Sequence, residues 1–201
     1  ENVWLLQEEA ARLMAEQEWE KAIVALEKCI ELYPAQIGER SAYGMLASIY
    51  RQTGDREKEK QALANATKFD SEAQEALLRL IEIETEEKDY QNLGKHARLL
   101  LEVNPLLPQA HRALAAAGEA QEEPQQAIQA YRTVLRLKPP DPADVHYRLA
   151  TLFHAQDEPA AARRHILLSL QDAPRFRDGH ELLLKIVNGM DGNPAPAVSG
   201  E

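Results

Sequence analysis

Apolar residues recur at intervals of three and four along most of this chain, as Tyr131, Val134 and Leu135 illustrate. That spacing places them on one face of an α-helix, whereas a half-buried strand would alternate apolar and polar positions. The pattern therefore predicts an all-α protein. Helices are predicted at 3–16, 19–33, 39–53, 56–69, 72–87, 90–103, 107–121, 124–137, 142–156, 159–172 and 177–188.

Four of the apolar-rich segments run into a proline, at Pro34, Pro105, Pro139 and Pro174. The last two gaps are 34 and 35 residues, and the first gap of 71 residues holds two such segments, with Ser71 where a proline would fall. A period near 34 residues indicates a helical repeat array, here of five helix pairs. Such arrays build an extended binding surface and rarely a catalytic pocket.

The repeats resemble the tetratricopeptide repeat, whose pattern is W-x2-L-G-x2-Y…A-x3-F…P. The fifth pair shows the likeness best, with its matching positions at Leu149, Ala150, Phe153, Ala162, Ile166 and Pro174. The resemblance covers residues 3–188. It implies a right-handed α-solenoid of five helix pairs with a C-terminal capping helix at 177–188. Residues 189–201, rich in glycine and proline, are predicted to be a disordered tail.

The third pair departs from this pattern. Ile81 and Leu93 stand where glycine or alanine is expected, and Ala97 stands where a large side chain usually packs. We interpret this as an exchange of volumes within one interface, because overpacking alone would cost about 1–3 kcal/mol. Glu84 also replaces the expected aromatic residue, and with Glu82, Glu86 and Glu87 it is predicted to lie on a solvated helix face.

The charge and cysteine content narrow the classes of function. A formal net charge of −10 argues against a nucleic-acid partner, which requires a basic surface. No apolar run is long enough to predict a membrane span. The single cysteine, Cys29, is predicted to be a small buried hydrophobic residue. The compartment is not indicated, and the cytoplasm is the default.

The histidines do not form a predicted metal site. His111, His146 and His180 recur at gaps of 35 and 34 residues, so they lie about 10 Å apart, too far to share a zinc ion. They are predicted to be half-buried in the tryptophan position of the pattern. His96 and His165, on second helices, are predicted to be solvated. With no nucleophile or phosphate-binding motif either, we expect no catalytic residue, no cofactor and no metal.

The family resemblance implies a concave groove lined by the first helix of each pair, where peptides bind. Carried over by alignment, the candidate peptide-binding residues are Arg51, Arg79, Arg112, Tyr147, Arg148 and His154. Arginine suits a carboxylate because its guanidinium group pairs bidentately. The alternative is that these arginines pair with carboxylates of the same chain, such as Glu75 or Glu82. The lysines and asparagines that grip chaperone C-termini in this family are absent, since Gln7, Ala11 and Met45 take those places.

The predicted function is a protein–protein interaction scaffold that binds a peptide or a partner domain on its concave face. The alternative is an accessory domain of a larger enzyme, because the chain is also similar to repeat tails of large bacterial multidomain proteins, some with a gluzincin-like metallopeptidase domain. Trp4, Leu5 and Leu6 are predicted to be uncovered. Uncovered apolar residues indicate self-association or contact with a preceding domain.

Overall fold

The computed structural model describes residues 2–38, 40–70 and 73–191. In these ranges the chain forms eleven α-helices and no strand. They are α1 (Val3–Ala15), α2 (Trp19–Leu32), α3 (Ala42–Thr53), α4 (Arg56–Phe69), α5 (Gln74–Glu87), α6 (Tyr90–Val103), α7 (Pro108–Ala120), α8 (Pro124–Arg136), α9 (Ala143–Ala155), α10 (Pro159–Asp172) and α11 (Arg177–Asp191). The all-α prediction is confirmed.

Predicted helix bounds agree with the observed ones to within three residues. The largest difference at a helix start is α3, which begins at Ala42 because Ser41 caps it: the Ser41 hydroxyl accepts a hydrogen bond from the Gly44 N–H at 3.2 Å. At its end, α11 continues to Asp191, so the predicted tail does not begin at residue 189. The rest of that tail, 192–201, lies outside the described residues.

The turn inside each helix pair repeats the same geometry five times. In each, a backbone N–H donates to the carbonyl five residues earlier, and one residue adopts the left-handed conformation that usually favours glycine. The left-handed residues are Gln17, Gly54, Lys88, Glu122 and Asp157, with φ between 56° and 78°. Their spacing of 34 to 37 residues matches the repeat period of the sequence.

The chain divides into two compact units, which we name unit 1 (Glu1–Ala113) and unit 2 (Leu114–Glu201). The prediction of a single domain over 3–188 stays a prediction. In unit 1 the helices of each pair pack together, α1 on α2, α3 on α4 and α5 on α6. In unit 2, α9 packs on α10 and α10 on α11. Each unit has its own apolar core, around Leu26, Ile49 and Leu80 in unit 1 and around Val145 and Leu149 in unit 2.

Cys29 belongs to the unit 1 core, as predicted, and burial raises the pKa of its thiol. In the third pair, Ile81, Leu93 and Ala97 are all buried, as the proposed exchange of volumes requires. The prediction for Glu84 is wrong, because only 1% of this residue is exposed. Glu84 points to the core for the same reason that Leu77, Leu80 and Ile81 do: all four share one helix stripe.

Candidate functional site

A surface depression lined by predicted site residues lies within unit 1, between α3, α4 and α5. We name it the unit 1 groove. It has a volume of about 950 Å³. Small and apolar residues line it from three helices: Gly44, Ala47 and Ser48 from α3, Leu63 and Ala66 from α4, and Ala76 from α5. Charged residues complete the lining: Arg40, Arg51, Glu59, Asp70, Glu75 and Arg79. Two of the predicted peptide-binding arginines, Arg51 and Arg79, therefore meet in one groove.

Arg79 is held in place by a carboxylate that sequence reasoning missed. Its Nε donates to Glu59 Oε1 at 2.6 Å and its Nη2 donates to Glu59 Oε2 at 3.1 Å. A third bond joins Nη1 to Glu82 Oε2 at 3.0 Å. These bonds, with that to Glu59 contributing most, raise the pKa of Arg79. The signal for Glu59 was present, because it shares a stripe with Leu63 and Ala66 at helical spacing.

Arg51 differs from Arg79. It is exposed on the last turn of α3, and it forms no ion pair with any residue that the structure describes. Because α4 packs back along α3 after a tight turn, its first turn, which contains Glu59, lies near the end of α3 that contains Arg51. Arg51, Glu59 and Arg79 therefore lie at one end of the unit 1 groove. The guanidinium group of Arg51 is available to a ligand there.

Three of the four other predicted site residues already have an interaction partner. Arg112 is half-buried on α7 and has an interaction partner. In unit 2, Tyr147 packs edge-on against Phe176, with ring centroids 4.8 Å apart. Arg148 pairs with Glu119 at 3.5 Å and Asp144 at 3.8 Å. His154 is exposed. Their role in peptide binding stays a prediction.

The prediction that His96 is solvated is wrong. His96 is 9% exposed, and its Nδ1 lies 2.7 Å from Oε1 of the buried Glu84. The signal was the spacing of Leu93, His96 and Leu100 along one stripe of α6. The other three glutamates of the acidic cluster lie on the exposed face as predicted, where Glu86 pairs with Arg56 and Glu87 with Lys60.

His165 is also half-buried rather than solvated. Its ring stacks on Phe153 with centroids 5.5 Å apart, and its Nδ1 lies 3.0 Å from Nδ1 of His146. Since two ring nitrogens share this hydrogen bond, one must carry the proton and the other accept it. Burial first, then the nearby positive groups, lowers the pKa of His165 to about 4. Burial also lowers the pKa of His146.

The remaining repeat histidines share one contact. His111 Nε2 donates to the carbonyl of Pro105 and His180 Nε2 to that of Pro174, both at 2.9 Å. His111 is half-buried as predicted, whereas His180 is exposed. Among the described residues no three metal-ligating side chains converge. In the same part of the chain no helix is both long and apolar enough to cross a bilayer.

The prediction that Leu6 is uncovered is wrong, because Leu6 is half-buried against the unit 1 core. On the outer face of α1, Trp4 is 62% exposed and Leu5 is 58% exposed, as predicted. Self-association through this face stays a prediction. Light scattering over rising protein concentration, on the native chain and on Trp4→Ser, tests it: a monomer throughout would contradict it.

The repeated turns and paired helices define the chain as a helical repeat protein. Residues 41–72, which contain α3 and α4, match the tetratricopeptide repeat family. The predicted resemblance to this family is confirmed, and the chain has the fold of its members. No curated protein matches the chain in sequence.

Solved structures share this fold at low sequence identity. The MamA protein is similar with a TM-score of 0.68 and 19% identity, over 74% of this chain and 81% of its own. YrrB, a TPR protein with an unusual peptide-binding site, has a TM-score of 0.65 and 16% identity, over 89% and 88%. PilF of Pseudomonas aeruginosa has a TM-score of 0.60 and 18% identity, over 94% and 84%.

Proposed function

We propose that this chain is a non-catalytic protein-interaction module that binds a peptide segment of a partner protein in the unit 1 groove. The observation that carries the proposal is the groove itself, about 950 Å³ in volume and lined along three helices. The fold is that of interaction scaffolds, and a structure with the same fold, YrrB, has a peptide-binding site.

The lining of the groove suits an extended peptide. Gly44, Ala47, Ala66 and Ala76 have side chains too small to keep a ligand backbone away from the helices. Leu63 is also part of the lining, and burial of a ligand side chain against apolar surface contributes about 25 cal/mol per Å². The same lining contains charged groups, and a few polar contacts of this kind fix the orientation of a ligand.

The proposal is tested by selecting binders from a random peptide library displayed on phage. Selected peptides are then titrated by fluorescence anisotropy against the native chain and Ser48→Trp. Ser48 is half-buried and lines the groove, so an indole at this position fills the ligand's space. We expect the affinity to fall about tenfold or more, because the indole excludes the peptide from part of the groove. A tenfold loss corresponds to about 1.4 kcal/mol of binding free energy.

Gln61→Trp is the matched control. Gln61 is exposed on α4 and is not part of the groove lining, so the same added bulk leaves the peptide affinity unchanged. Circular dichroism establishes that both variants keep their helix content. Equal affinity of native chain and Ser48→Trp would place peptide binding elsewhere and would overturn the proposal.

The predicted alternative, an accessory domain of a larger enzyme, stays a prediction. No observation within the described residues favours it over peptide binding.

A further inference from the structure

Glu59, which pairs bidentately with Arg79, is a carboxylate buried at an energetic cost. Only 4% of the Glu59 side chain is exposed. Removing a carboxylate from water is costly, and a buried ion pair is often no more stabilising than apolar residues of the same size. The buried residues Ala62, Leu63 and Ala66 on the same stripe of α4 show that an apolar residue would fit there. The pair therefore serves a purpose other than stability.

The pair with Glu59 uses only one edge of the Arg79 guanidinium group. A guanidinium group has five N–H donors in a fixed plane. Glu59 takes one donor on Nε and one on Nη2, which is the inner edge. The second donors of Nη1 and Nη2 point along the outer edge, and together they match the two oxygens of another carboxylate. Buried Glu59 thus fixes the plane of the guanidinium group of Arg79, a residue that lines the groove.

The outer edge is occupied only weakly. Glu82 accepts one bond from Nη1 at 3.0 Å, and its side chain is 60% exposed. Exposed ion pairs three residues apart on a helix are weak, so a ligand carboxylate can displace Glu82. Arg51, at the same end of the groove, adds a second cation without an ion pair among the described residues.

We infer that the peptide bound in the unit 1 groove carries a carboxylate that binds the outer edge of Arg79, with Glu59 as the positioning residue and Glu82 as a competing carboxylate. This inference rests on the proposed function. The acidic residues Asp70 and Glu75 line the groove too, and Asp70 accepts a hydrogen bond from the Gly38 N–H at 2.8 Å. Glu75 lies one helix turn before Arg79, so it disfavours a ligand carboxylate near the start of α5 and favours the end with Arg51 and Arg79.

The carboxylate has two possible sources, an acidic side chain or the C-terminus of the peptide. Peptides from the phage selection are synthesised with each Asp or Glu replaced by its amide, and separately with a free or amidated C-terminus. Affinities are measured by fluorescence anisotropy. The inference expects one of the two replacements to weaken binding about tenfold, the effect of a lost charge-assisted hydrogen bond. The replacement that does so identifies the source.

Variants of the chain then separate positioning from general stability. For Glu59→Gln we expect the preference for the carboxylate peptide over its amide twin to fall about tenfold, while affinity for the amide twin is unchanged. A merely structural role would weaken both peptides equally. If Glu59→Gln loses helix content, Arg79→Lys replaces it, because lysine keeps the charge and loses the fork. Glu82→Gln is expected to tighten carboxylate binding about twofold.

Arg98→Gln is the charge control, because Arg98 is an exposed cation of unit 1 that does not line the groove. We expect this variant to bind the peptides as tightly as the native chain does. Selected peptides that bind equally well as amides, or a carboxylate preference unchanged by Glu59→Gln and Arg79→Lys, would overturn the inference. If those peptides are still lost in Ser48→Trp, the proposed function stands without it. Binding that is insensitive to Ser48→Trp would remove both.

Discussion

The third and fifth helix pairs place a histidine at the same repeat position but give it different surroundings. His96 of α6 and His165 of α10 each follow the small position of the repeat by three residues. In the fifth pair, His165 stacks on Phe153, the aromatic residue of the pattern. In the third pair, Glu84 replaces that aromatic residue, and His96 forms a 2.7 Å hydrogen bond with it.

The backbone hydrogen bond of the turn is the same in both pairs. In both pairs the carbonyl of the aromatic position accepts a hydrogen bond from the N–H five residues later, at 2.9 Å, Phe153 to Glu158 and Glu84 to Asp89. The turn is set by the backbone, so the space beneath it accepts either a stacked apolar pair or a hydrogen-bonded polar pair. One repeat geometry therefore accepts two chemically opposite interiors, an apolar one around Phe153 and a polar one in which His96 is the hydrogen-bond partner of Glu84.

We expect the largest loss of stability when only one member of the Glu84–His96 pair is replaced. His96→Leu leaves Glu84, 1% exposed, without its hydrogen-bond partner. Leaving a buried carboxyl group without its hydrogen-bond partner costs about 3 kcal/mol, so we expect the free energy of unfolding to fall by that amount. Urea denaturation followed by circular dichroism measures it.

Glu84→Leu combined with His96→Leu is the matched control, because replacement of a whole buried pair by apolar residues is close to neutral or stabilising. A double variant as unstable as His96→Leu would contradict the view that an apolar interior fits the third pair.

The second effect concerns the small positions. Ala150 in the fifth pair is fully buried, whereas the third pair has Ile81 at the equivalent position. Ala150→Leu is expected to lower the free energy of unfolding by about 1–3 kcal/mol, because the fifth pair has no compensating small residue. Thr151→Leu, at the exposed neighbouring residue, is the control and should change little. An unchanged melting temperature for Ala150→Leu would count against the alignment of the repeats.

The third effect depends on pH and is specific to the stacked histidine. The pKa of His165 is about 4 in the folded chain, against about 6.5 when unfolded. The unfolded chain therefore binds this proton more tightly than the folded chain. The contribution of neutral His165 to the free energy of unfolding is fully present above about pH 6.5 and is lost as the pH falls towards about 4. Because the ring is only half-buried, we expect a loss of about 1–2 kcal/mol.

His165→Gln removes this titration. Its free energy of unfolding should therefore fall less steeply than that of the native chain between about pH 6.5 and pH 4, and urea denaturation at several pH values compares the two. Identical slopes for both proteins would refute the assigned role of His165.

The smallest effect concerns the shared turns. Lys88 adopts φ of 60° where the second pair has Gly54. A side chain in the left-handed region costs about 1 kcal/mol, part of which is offset by the greater freedom of glycine in the unfolded chain. Lys88→Gly is therefore expected to raise the free energy of unfolding by about 0.5 kcal/mol. Lys88→Ala retains the strain and should show no gain.

Much of the fold could be predicted because its signals are local. Helical spacing and the prolines that open α8 and α10 act within a few residues of the chain. The apolar positions of the fifth pair were predicted correctly, since its buried residues Leu149, Phe153 and Ile166 all follow the family pattern.

The polar interior of the third pair could not be predicted from residue type. Glutamate and histidine are usually exposed, and that average misplaced Glu84 and His96. Their helical spacing from apolar residues carried the correct signal. The groove is a harder case, because Arg51 and Arg79 match the pattern equally well. Whether an arginine already has a partner depends on a contact between two helices, here Glu59 of α4 with Arg79 of α5.

The central claim, that the unit 1 groove binds a peptide, is tested most directly by NMR. A selected peptide is titrated into the isotope-labelled chain, and the shift of each backbone amide signal is measured. We predict that the largest shifts fall on residues of α3, α4 and α5 that line the groove, around Ser48, Leu63 and Arg79. The largest shifts on residues of α9 or on the outer face of α1, with the groove signals unmoved, would contradict the claim.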